Sequence, residues 1–487
     1  MEDNTKENLG GTVKKSLFWN FGENILYKVV QFLLQVVLAR ILVPEDYGLC
    51  AIVLAFLNIA QELVNSGFAN ALIQGKDVKR LDFSSVCYFS LGISFVLYII
   101  LFLSAPYISI FFEDTRITNI MRVLGISLII GAFNSVQVAI VYKKFEFRKS
   151  FIANLVSISG SAVLGISAAW CGLGVWALVI QYFSNRVINT LVFLILVKWL
   201  PSLEFSFERI KVLFSYGWKL MITSLLSFLS QDIYSIVVGK AFSKPQLGLY
   251  DLGNKIPANF ANTIASTIGR VLFPAFSVLQ EDSSKIKAYI KKTNQLASFV
   301  MFPVLFSIGA SAKPIIVLLF TNKWIDAVPI MQLACIWYAF NPIHYANIQV
   351  SKAIGRSDLS LYIEGSKKIL DFIFLLIMVR FGIVYVALGL TISSILGLWI
   401  DIEPLKKYIH YSTLEQLIDV LPSLITGISI FVIVYQINVY VCLNPLSLLL
   451  LDTVISVLIF SILTMLFNRK QLKEIYQSFF IRFIGKK

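Results

Sequence analysis

Charged residues are scarce in this 487-residue chain. Asp, Glu, Lys and Arg make up only 14% of it, whereas 57% is apolar and the mean hydropathy is +0.78. A soluble domain carries about 25% charged and roughly 45–50% apolar residues. Because the apolar excess runs evenly along the chain, it excludes a water-soluble protein. It also excludes a soluble enzyme or receptor domain held by one membrane anchor.

Residue patterns for metal binding and covalent catalysis are also lacking. The cysteines form no C-x-x-C motif, and neither histidine lies near a cysteine in the sequence. There is no Ser/His/Asp or Cys/His arrangement, no acidic metal-binding pair and no long outer loop. We therefore expect no enzyme activity, no metal and no cofactor, and we interpret His344 as a hydrogen-bonded core histidine. The residues concerned are Cys50, Cys87, Cys171, Cys335, Cys442, His344 and His410.

The N-terminus lacks a signal-peptide pattern, because residues 1–15 are polar and the apolar run after them is too long and has no small-residue cleavage site. Fourteen apolar runs of at least ~19 residues follow one another. In lipid such runs must satisfy their backbone polar groups internally, as helices do. The predicted fold class is an all-α polytopic membrane protein with about 14 transmembrane helices. These spans 1–14 fall at 16–43, 47–74, 83–112, 117–142, 151–171, 173–198, 212–239, 246–275, 293–318, 325–351, 360–380, 383–401, 416–437 and 445–468.

Basic residues are distributed unevenly between the two sides of the membrane. With the N-terminus inside, 29 of the 42 Lys and Arg residues lie in cytoplasmic segments and 6 in outer segments. This count includes Lys367 and Lys368, in the first half of span 11, among the cytoplasmic residues. The asymmetry alternates with every loop, which supports the span count and predicts two cytoplasmic termini. The net charge of +14 is thereby explained without nucleic acid.

A weak internal repeat recurs at an offset of 200 residues. Arg40 corresponds to Lys240 and Gly48-Leu49 to Gly248-Leu249, each beside a Pro-containing turn. Six spans separate the copies, so both halves share one orientation, as in parallel repeats related by an axis along the membrane normal. We predict two six-helix lobes with this pseudo-two-fold axis. The predicted segments are a cytoplasmic N-terminal segment 1–15, an N-lobe 16–200, a C-lobe 201–410, helices 13–14 at 411–468 and a basic cytoplasmic tail 469–487.

Polar side chains lie at helical spacing within spans 1, 2, 7 and 8. One interpretation is hydrogen bonding between packed helices. The other is the wall of a water-filled cavity, which four stripes on equivalent spans of both lobes favour. Polar groups at bilayer depth are costly, and a packed core has no use for so many amides and cations. In span 8 the stripe runs through Asp251, Lys255, Asn259, Asn262, Ser266 and Arg270.

Cations exceed acids within these spans. A positive cavity suits an anionic ligand such as a phosphate, which Arg binds bidentately and Lys as a point charge. Snorkelling to the interface is the alternative for each cation, and the preferred one for Arg122 and Lys198. Asp251 and Lys255, four residues apart, are predicted to pair. The predicted substrate-binding residues are Lys28, Gln31, Arg40, Arg186, Lys219, Lys255, Asn259 and Arg270, and the predicted coupling or pairing acids are Glu23, Glu62 and Asp251.

Three stretches resemble a known family: LARILVPEDYG at 38–48, SGFANALIQ at 66–74 and LGLYD at 247–251. They are similar to the polysaccharide flippases of the multidrug/oligosaccharidyl-lipid/polysaccharide superfamily, the exporters of O-antigen, colanic acid and teichuronic acid. The resemblance implies two lobes in a V with spans 1, 2, 7 and 8 at the cavity mouth. It also implies movement of an undecaprenyl-pyrophosphate-linked glycan from the inner to the outer leaflet of the bacterial plasma (inner) membrane, with polysaccharide polymerase and glycosyltransferases as further partners.

Two functions stay open at this point. The first is a flippase for a lipid-linked oligosaccharide that works by alternating access. The second is a multidrug cation antiporter of the same fold, which needs unpaired acids in the first lobe and a cavity without net positive charge. The acids Glu23 and Glu62 are consistent with the antiporter, whereas the excess of cations favours the flippase.

Overall fold

The computed structural model describes residues 26–74, 78–144, 146–214, 233–278, 282–354, 356–467 and 469. All regular structure within these residues is helical, which confirms the all-α class. The helices are α1 (26–41), α2 (Pro44–Gln74), α3 (Arg80–Phe111), α4 (Arg116–Lys143), α5 (Phe147–Trp170), α6 (Val175–Val197), a short segment at 207–214, α7 (233–241), α8 (Lys244–Val278), α9 (Ser283–Ala310), α10 (Ala312–Phe320), a 3₁₀ helix (Asn322–Ala327), α11 (Val328–Ala339), α12 (Asn341–Ala353), α13 (Ser357–Met378), α14 (Ile383–Ile409), α15 (Thr413–Tyr440) and α16 (Pro445–Phe467).

Among the described residues, nine helices are long and apolar enough to cross a membrane: α2 to α6, α9 and α14 to α16. They overlap predicted spans 2–6, 9 and 12–14, so the polytopic membrane class is confirmed. The number fourteen stays a prediction, since spans 1 and 7 lie partly outside the described residues.

Two predicted spans differ from simple apolar helices. Span 10 is broken at Phe340 into α11 and α12, because Pro342 in the first turn of α12 has no N–H to continue the preceding helix. Span 11 corresponds to α13, which has four charged residues in its middle, including Lys367 and Lys368. Lys367 and Lys368, which the charge count takes as cytoplasmic, lie inside this helix, and their side of the membrane stays a prediction.

Contacts divide the chain into two compact units, with the boundary between Gly248 and Leu249. In the first unit α5 packs on α6, α3 on α4, and both α2 and α6 on α4. In the second unit α9 packs on α15 and α11, α13 on α14, and α16 on α15. The predicted lobe boundaries stay predictions.

The surface of several helices is apolar enough for lipid. In an 18-residue apolar stretch of α16 only 11% of the residues are buried, and in the corresponding stretch of α3 only 22%. Leu450, Val454 and Leu458 project from α16 with more than half of their surface exposed. Exposing apolar surface to water costs about 25 cal/mol per Å², so these faces fit the hydrocarbon of a bilayer.

Candidate functional site

The polar stripe of α8 has an accessible surface. Lys255 Nζ lies 2.5 Å from a carboxylate oxygen of Asp251, which confirms the predicted pair one turn apart. Each of these two side chains keeps about 30% of its surface exposed, and Asn259 and Asn262 on the following turns are exposed. A stripe that served only helix packing would be buried. The side chain of Arg270, further along α8, lies outside the described part.

The predicted cations of the first unit are also accessible. Lys28, Gln31 and Arg40 on α1 are exposed, as is Arg186 on α6. An electrostatic interaction links Tyr27 of α1 with Arg186 of α6. Glu62 on α2 is half-buried. Two further predicted residues, Glu23 and Lys219, lie outside the described residues.

A different set of polar residues forms a buried amide cluster between α4, α5 and α6. The Asn189 amide donates to Asn154 Oδ1 at 2.8 Å and to Ser157 Oγ at 3.2 Å, and its own Oδ1 accepts from Asn134 at 2.8 Å. Asn134 and Asn189 are each 8% exposed. These bonds join three helices and have the character of packing contacts inside a membrane bundle. Helical spacing in the sequence does not reveal this cluster, because its members lie on three different helices.

The first turns of α2 and α8 cross at two glycines. A Cβ on Gly48 would lie 1.9 Å from the carbonyl oxygen of Lys244, and a Cβ on Gly248 would lie 1.9 Å from the carbonyl oxygen of Pro44. Any side chain here would force the helices apart, so glycine is required at both positions. The contact is reciprocal and its partners are 200 residues apart, which is the offset of the sequence repeat.

Ion pairs surround this crossing within the first unit. The Lys240 ammonium at the end of α7 donates to the Phe111 carbonyl oxygen at 2.6 Å and to Glu113 Oε1 at 2.9 Å. Arg116 donates to Asp114 at 2.8 Å and also pairs with Glu45 in the first turn of α2. The turn between α3 and α4 therefore contacts both the end of α7 and the start of α2. The Lys240 ammonium lowers the pKa of Glu113 by hydrogen bonding and by its charge.

In the second unit, α12, α13 and α14 share a buried charged cluster. Asp401 has no exposed surface, and one of its oxygens forms a hydrogen bond with His344 Nδ1. Lys367 Nζ donates to Asp401 Oδ1 at 3.1 Å, and His344 Nε2 lies 3.2 Å from Ser394 Oγ. His344 is thus a hydrogen-bonded core residue, as its sequence context predicted. The sequence does not predict its pairing with Asp401, nor the pairing of Asp401 with Lys367, because these residues lie on different helices.

A second polar network joins α9 and α15. The Asn294 amide donates to Gln416 Oε1 at 3.2 Å, and the Asn347 amide of α12 reaches the same oxygen at 3.2 Å. Nearer the ends of the helices, Lys291 Nζ lies 2.8 Å from Asp419, which also accepts from the Tyr411 hydroxyl at 2.6 Å. Among the described residues, no group of His, Cys, Asp or Glu could hold a metal ion.

The sequence of residues 37–329 matches the model of a family described as polysaccharide biosynthesis protein. The chain belongs to this family. Its resemblance to the polysaccharide flippases of the multidrug/oligosaccharidyl-lipid/polysaccharide superfamily is thereby confirmed. The lipopolysaccharide biosynthesis protein WzxC of Escherichia coli K12 is 24% identical over 379 residues, 76% of each chain. The succinoglycan biosynthesis transport protein ExoT of Rhizobium meliloti 1021 is 22% identical over 66% of this chain and 65% of its own.

A solved structure extends this family assignment to the fold. The lipid II flippase MurJ in an inward closed conformation superposes with a TM-score of 0.71, over 94% of this chain and 100% of MurJ, at 14% sequence identity. At that identity the likeness establishes the fold. This polysaccharide biosynthesis protein therefore has an all-α transporter fold. Some of its polar stripes are accessible, and one charged cluster is buried.

Proposed function

We propose that this member of the polysaccharide biosynthesis family is a flippase for a polyprenyl-pyrophosphate-linked oligosaccharide. It moves the lipid-linked glycan from the inner to the outer leaflet of the bacterial plasma membrane, and it does so by alternating access. Its relatives WzxC and ExoT are named for lipopolysaccharide biosynthesis and for succinoglycan transport. A transfer between leaflets changes no covalent bond, so we expect no enzymatic activity.

One observation carries the proposal: polar and cationic side chains lie exposed on helices of a lipid-embedded bundle. Asn259 and Asn262 on α8 and Lys28 and Gln31 on α1 have accessible surface. Hydrocarbon would penalise these groups by several kcal/mol each. Their exposure is therefore best accounted for by water, which makes a cavity wall the favoured interpretation of both stripes. By contrast, the amides around Asn189, which pack between helices of the same molecule, are buried.

The cavity groups suit the two chemical parts of such a substrate. The pyrophosphate would pair with cations such as Lys28 and Arg186, since guanidinium and ammonium groups bind phosphate oxygens. The sugar hydroxyls would bond to accessible amides such as Gln31. The polyprenyl tail needs no polar partner and would stay in the surrounding lipid.

Alternating access needs an element that closes one side of the cavity. We assign this role to the crossing of α2 and α8 at Gly48 and Gly248. Ion pairs of Lys240 and Arg116 lie around this crossing. Polar contacts between accessible groups cost little to break, so they suit a reversible contact. We place this closure on the outer side and both chain termini in the cytoplasm, with the polysaccharide polymerase and glycosyltransferases as partners.

The test is the lipid-linked sugar pool of a strain without this gene. We expect one undecaprenyl-linked unit to accumulate in the inner leaflet, protected from enzymes added outside, and to clear when the gene is restored. An unchanged sugar pool, together with increased sensitivity to cationic drugs, would contradict the flippase and support the antiporter of the same fold.

A further inference from the structure

In the second unit, one buried carboxylate has two basic partners. Lys367 Nζ lies 3.1 Å from Oδ1 and 3.4 Å from Oδ2 of Asp401, while His344 Nδ1 hydrogen-bonds Oδ2. The two bases are neighbours: a Cβ on Gly397 would lie 3.5 Å from His344 Cε1 and 3.7 Å from Lys367 Cε. A single carboxylate neutralises one full positive charge, and an unpaired buried charge is costly. A charged His344 ring and the Lys367 ammonium therefore compete for Asp401.

The far nitrogen of the histidine ring has a partner that can serve both of its protonation states. His344 Nε2 lies 3.2 Å from Ser394 Oγ, and that hydroxyl is also 3.2 Å from the carbonyl oxygen of Trp337. When Nε2 carries no proton, the Ser394 hydroxyl can donate to it. When Nε2 carries a proton, the hydroxyl can turn to Trp337 and accept from the ring. Protonation thus needs only a hydroxyl rotation.

We propose that His344, Asp401, Lys367 and Ser394 form a proton-binding site in which protonation of His344 releases Lys367 from Asp401. The proton comes from water and forms the N–H bond at Nε2, while Nδ1–H continues to donate to Asp401. The ring then carries the positive charge that neutralises the carboxylate. Lys367, whose side chain is 17% exposed, leaves as an ammonium group towards its accessible side.

Other charged groups near this site have partners of their own. On α13, Asp371 accepts from the Ser393 hydroxyl at 2.6 Å and lies 3.6 Å from Lys368. Asp371 is also within electrostatic reach of His344 and favours its charged form, but it makes no hydrogen bond to the ring among the described contacts. Helix α11, Val328–Ala339, contains no acidic or basic residue. From α9, the side chain that joins the α12 network is the neutral amide of Asn294. Further ion pairs on or beside these helices include Arg356 with Asp358 on α13, Lys406 with Glu403 on α14, Lys287 with Glu415 and Lys291 with Asp419. Among the described residues, the basic groups in contact with Asp401 are His344 and Lys367.

This inference rests on the proposed transport function, and it identifies protons as the ions whose movement is coupled to it. A proton taken up on one side would free a cation, and its release on the other would restore the Lys367–Asp401 pair. Such exchange of one cation for another at a carboxylate is a two-state event that a transport cycle can use. Ionisable groups at membrane depth are costly and are commonly retained for such a role.

The two histidines of the chain allow a direct test. We would follow both imidazole rings by NMR in the full-length, ¹⁵N-histidine-labelled protein in lipid nanodiscs between pH 5.5 and 9. His410 is exposed at the end of α14 and serves as an internal reference, assigned with H410Q. Replacing Lys367 by Met should move the protonation midpoint of His344 up by about one pH unit or more, since an adjacent cation is removed. His410 should be unaffected.

K367R, which keeps a cation, should leave the His344 titration near that of the unmodified protein. This variant also guards against misfolding of K367M, as does an unchanged His410 curve. The proposal would be overturned by identical His344 curves in K367M and the unmodified protein. A ring charged at every pH would then mean a permanent ion pair, and a ring neutral at every pH a purely structural histidine. The titration needs no glycan, so its failure is distinguishable from an unchanged lipid-linked sugar pool.

Discussion

Two kinds of polar residue occur in this membrane protein, and burial separates them. Asn189 and its partners are enclosed and mutually hydrogen-bonded, so they contribute to helix packing. Lys28 and Arg186 are long cationic side chains with accessible surface on apolar helices. Single substitutions of the two kinds should differ in effect: loss of a buried amide affects folding, whereas loss of an accessible cation affects the ligand.

Neutralising the accessible cations should abolish transport without loss of protein. We expect K28Q combined with R186Q to reduce glycan export by at least about tenfold, because each charged hydrogen bond is worth about 1.5–3 kcal/mol. Export would be measured as surface polysaccharide at matched membrane protein levels. K198Q is the matched control, since Lys198 is exposed at the end of the same helix as Arg186. Full export by the double variant would contradict the cationic cavity.

The glycine crossing makes a second prediction for single residues. G48A should destabilise the α2–α8 contact by about 1–3 kcal/mol and reduce export, because a Cβ would lie 1.9 Å from a carbonyl oxygen. G92A on α3 is the control, since a Cβ there meets nothing within 4 Å. Thermal unfolding in detergent and export would be measured for both. Equal behaviour of the two variants would mean that the crossing is unimportant.

Sequence reasoning found local pairs and missed distant ones. The Asp251–Lys255 pair follows from helical spacing, and the Gly48 and Gly248 crossing was signalled by the repeat. In the cluster around His344, Lys367 and Asp401 lie 23 and 57 residues further along the chain, on other helices. No helical periodicity connects such distant residues. A usable signal was nevertheless present, since Asp401 interrupts an otherwise apolar run of α14.

At the level of helices, the turn between α3 and α4 connects two elements that the repeat relates. Through Glu113 it holds Lys240 at the end of α7, and Arg116 just after the turn pairs with Glu45 at the start of α2. The span boundaries could be predicted from apolar runs. The breaks could not, because they depend on tertiary contacts and on residues such as Pro342, which a long apolar run conceals.

The Lys240–Glu113 contact should be lost in acid. Lys240 lowers the pKa of Glu113 below its ordinary value of 4.5. The pair is therefore complete above pH 4.5 and weakens as the pH falls through the lowered value. Spin labels at Val43 and Phe242 should show one short distance at pH 7 and added longer distances in acid. E113Q should produce the longer distances already at pH 7. The same distances in E113Q and the parent at pH 7 would contradict this role.

For the whole molecule, the composition predicted an all-α membrane protein, and the family match and the MurJ-like fold agree with it. The orientation rests on the basic residues. If Lys367 and Lys368, which lie in α13, are left out of the count, 27 basic residues remain in the predicted cytoplasmic segments, compared with 6 in the outer ones. The orientation therefore does not depend on these two residues.

Reporter fusions test that orientation. Because basic connections stay in the cytoplasm, fusions after residues 78, 146 and 487 should report a cytoplasmic location. Fusions after residues 44, 114 and 440 should report the outer side. Activity would be compared between a cytoplasmic and a periplasmic or external reporter at each site. A C-terminal fusion that reports the outer side would contradict the prediction of two cytoplasmic termini.

The final prediction concerns motion of the whole molecule. A large glycan must enter from one side and leave from the other, and a permanently open pore would leak ions. The turns before α2 and α8 should therefore separate in one state and meet in another. The Gly48 crossing represents the meeting state. Cysteines at Val43 and Phe242, or at neighbouring positions in a scan, should crosslink in a protein whose exposed Cys171 and Cys442 are replaced by Ser.

Crosslinking should block export, and a reducing agent should restore it. Covalent joining holds the two turns together and thus prevents the separated state, whatever glycan is carried. The parent without added cysteines controls for the oxidant, and single-cysteine variants control for the substitutions. If crosslinks form readily throughout the scan and export continues at the parent rate, the turns do not need to separate. Alternating movement about α2 and α8 would then be wrong, even if the chain is a flippase.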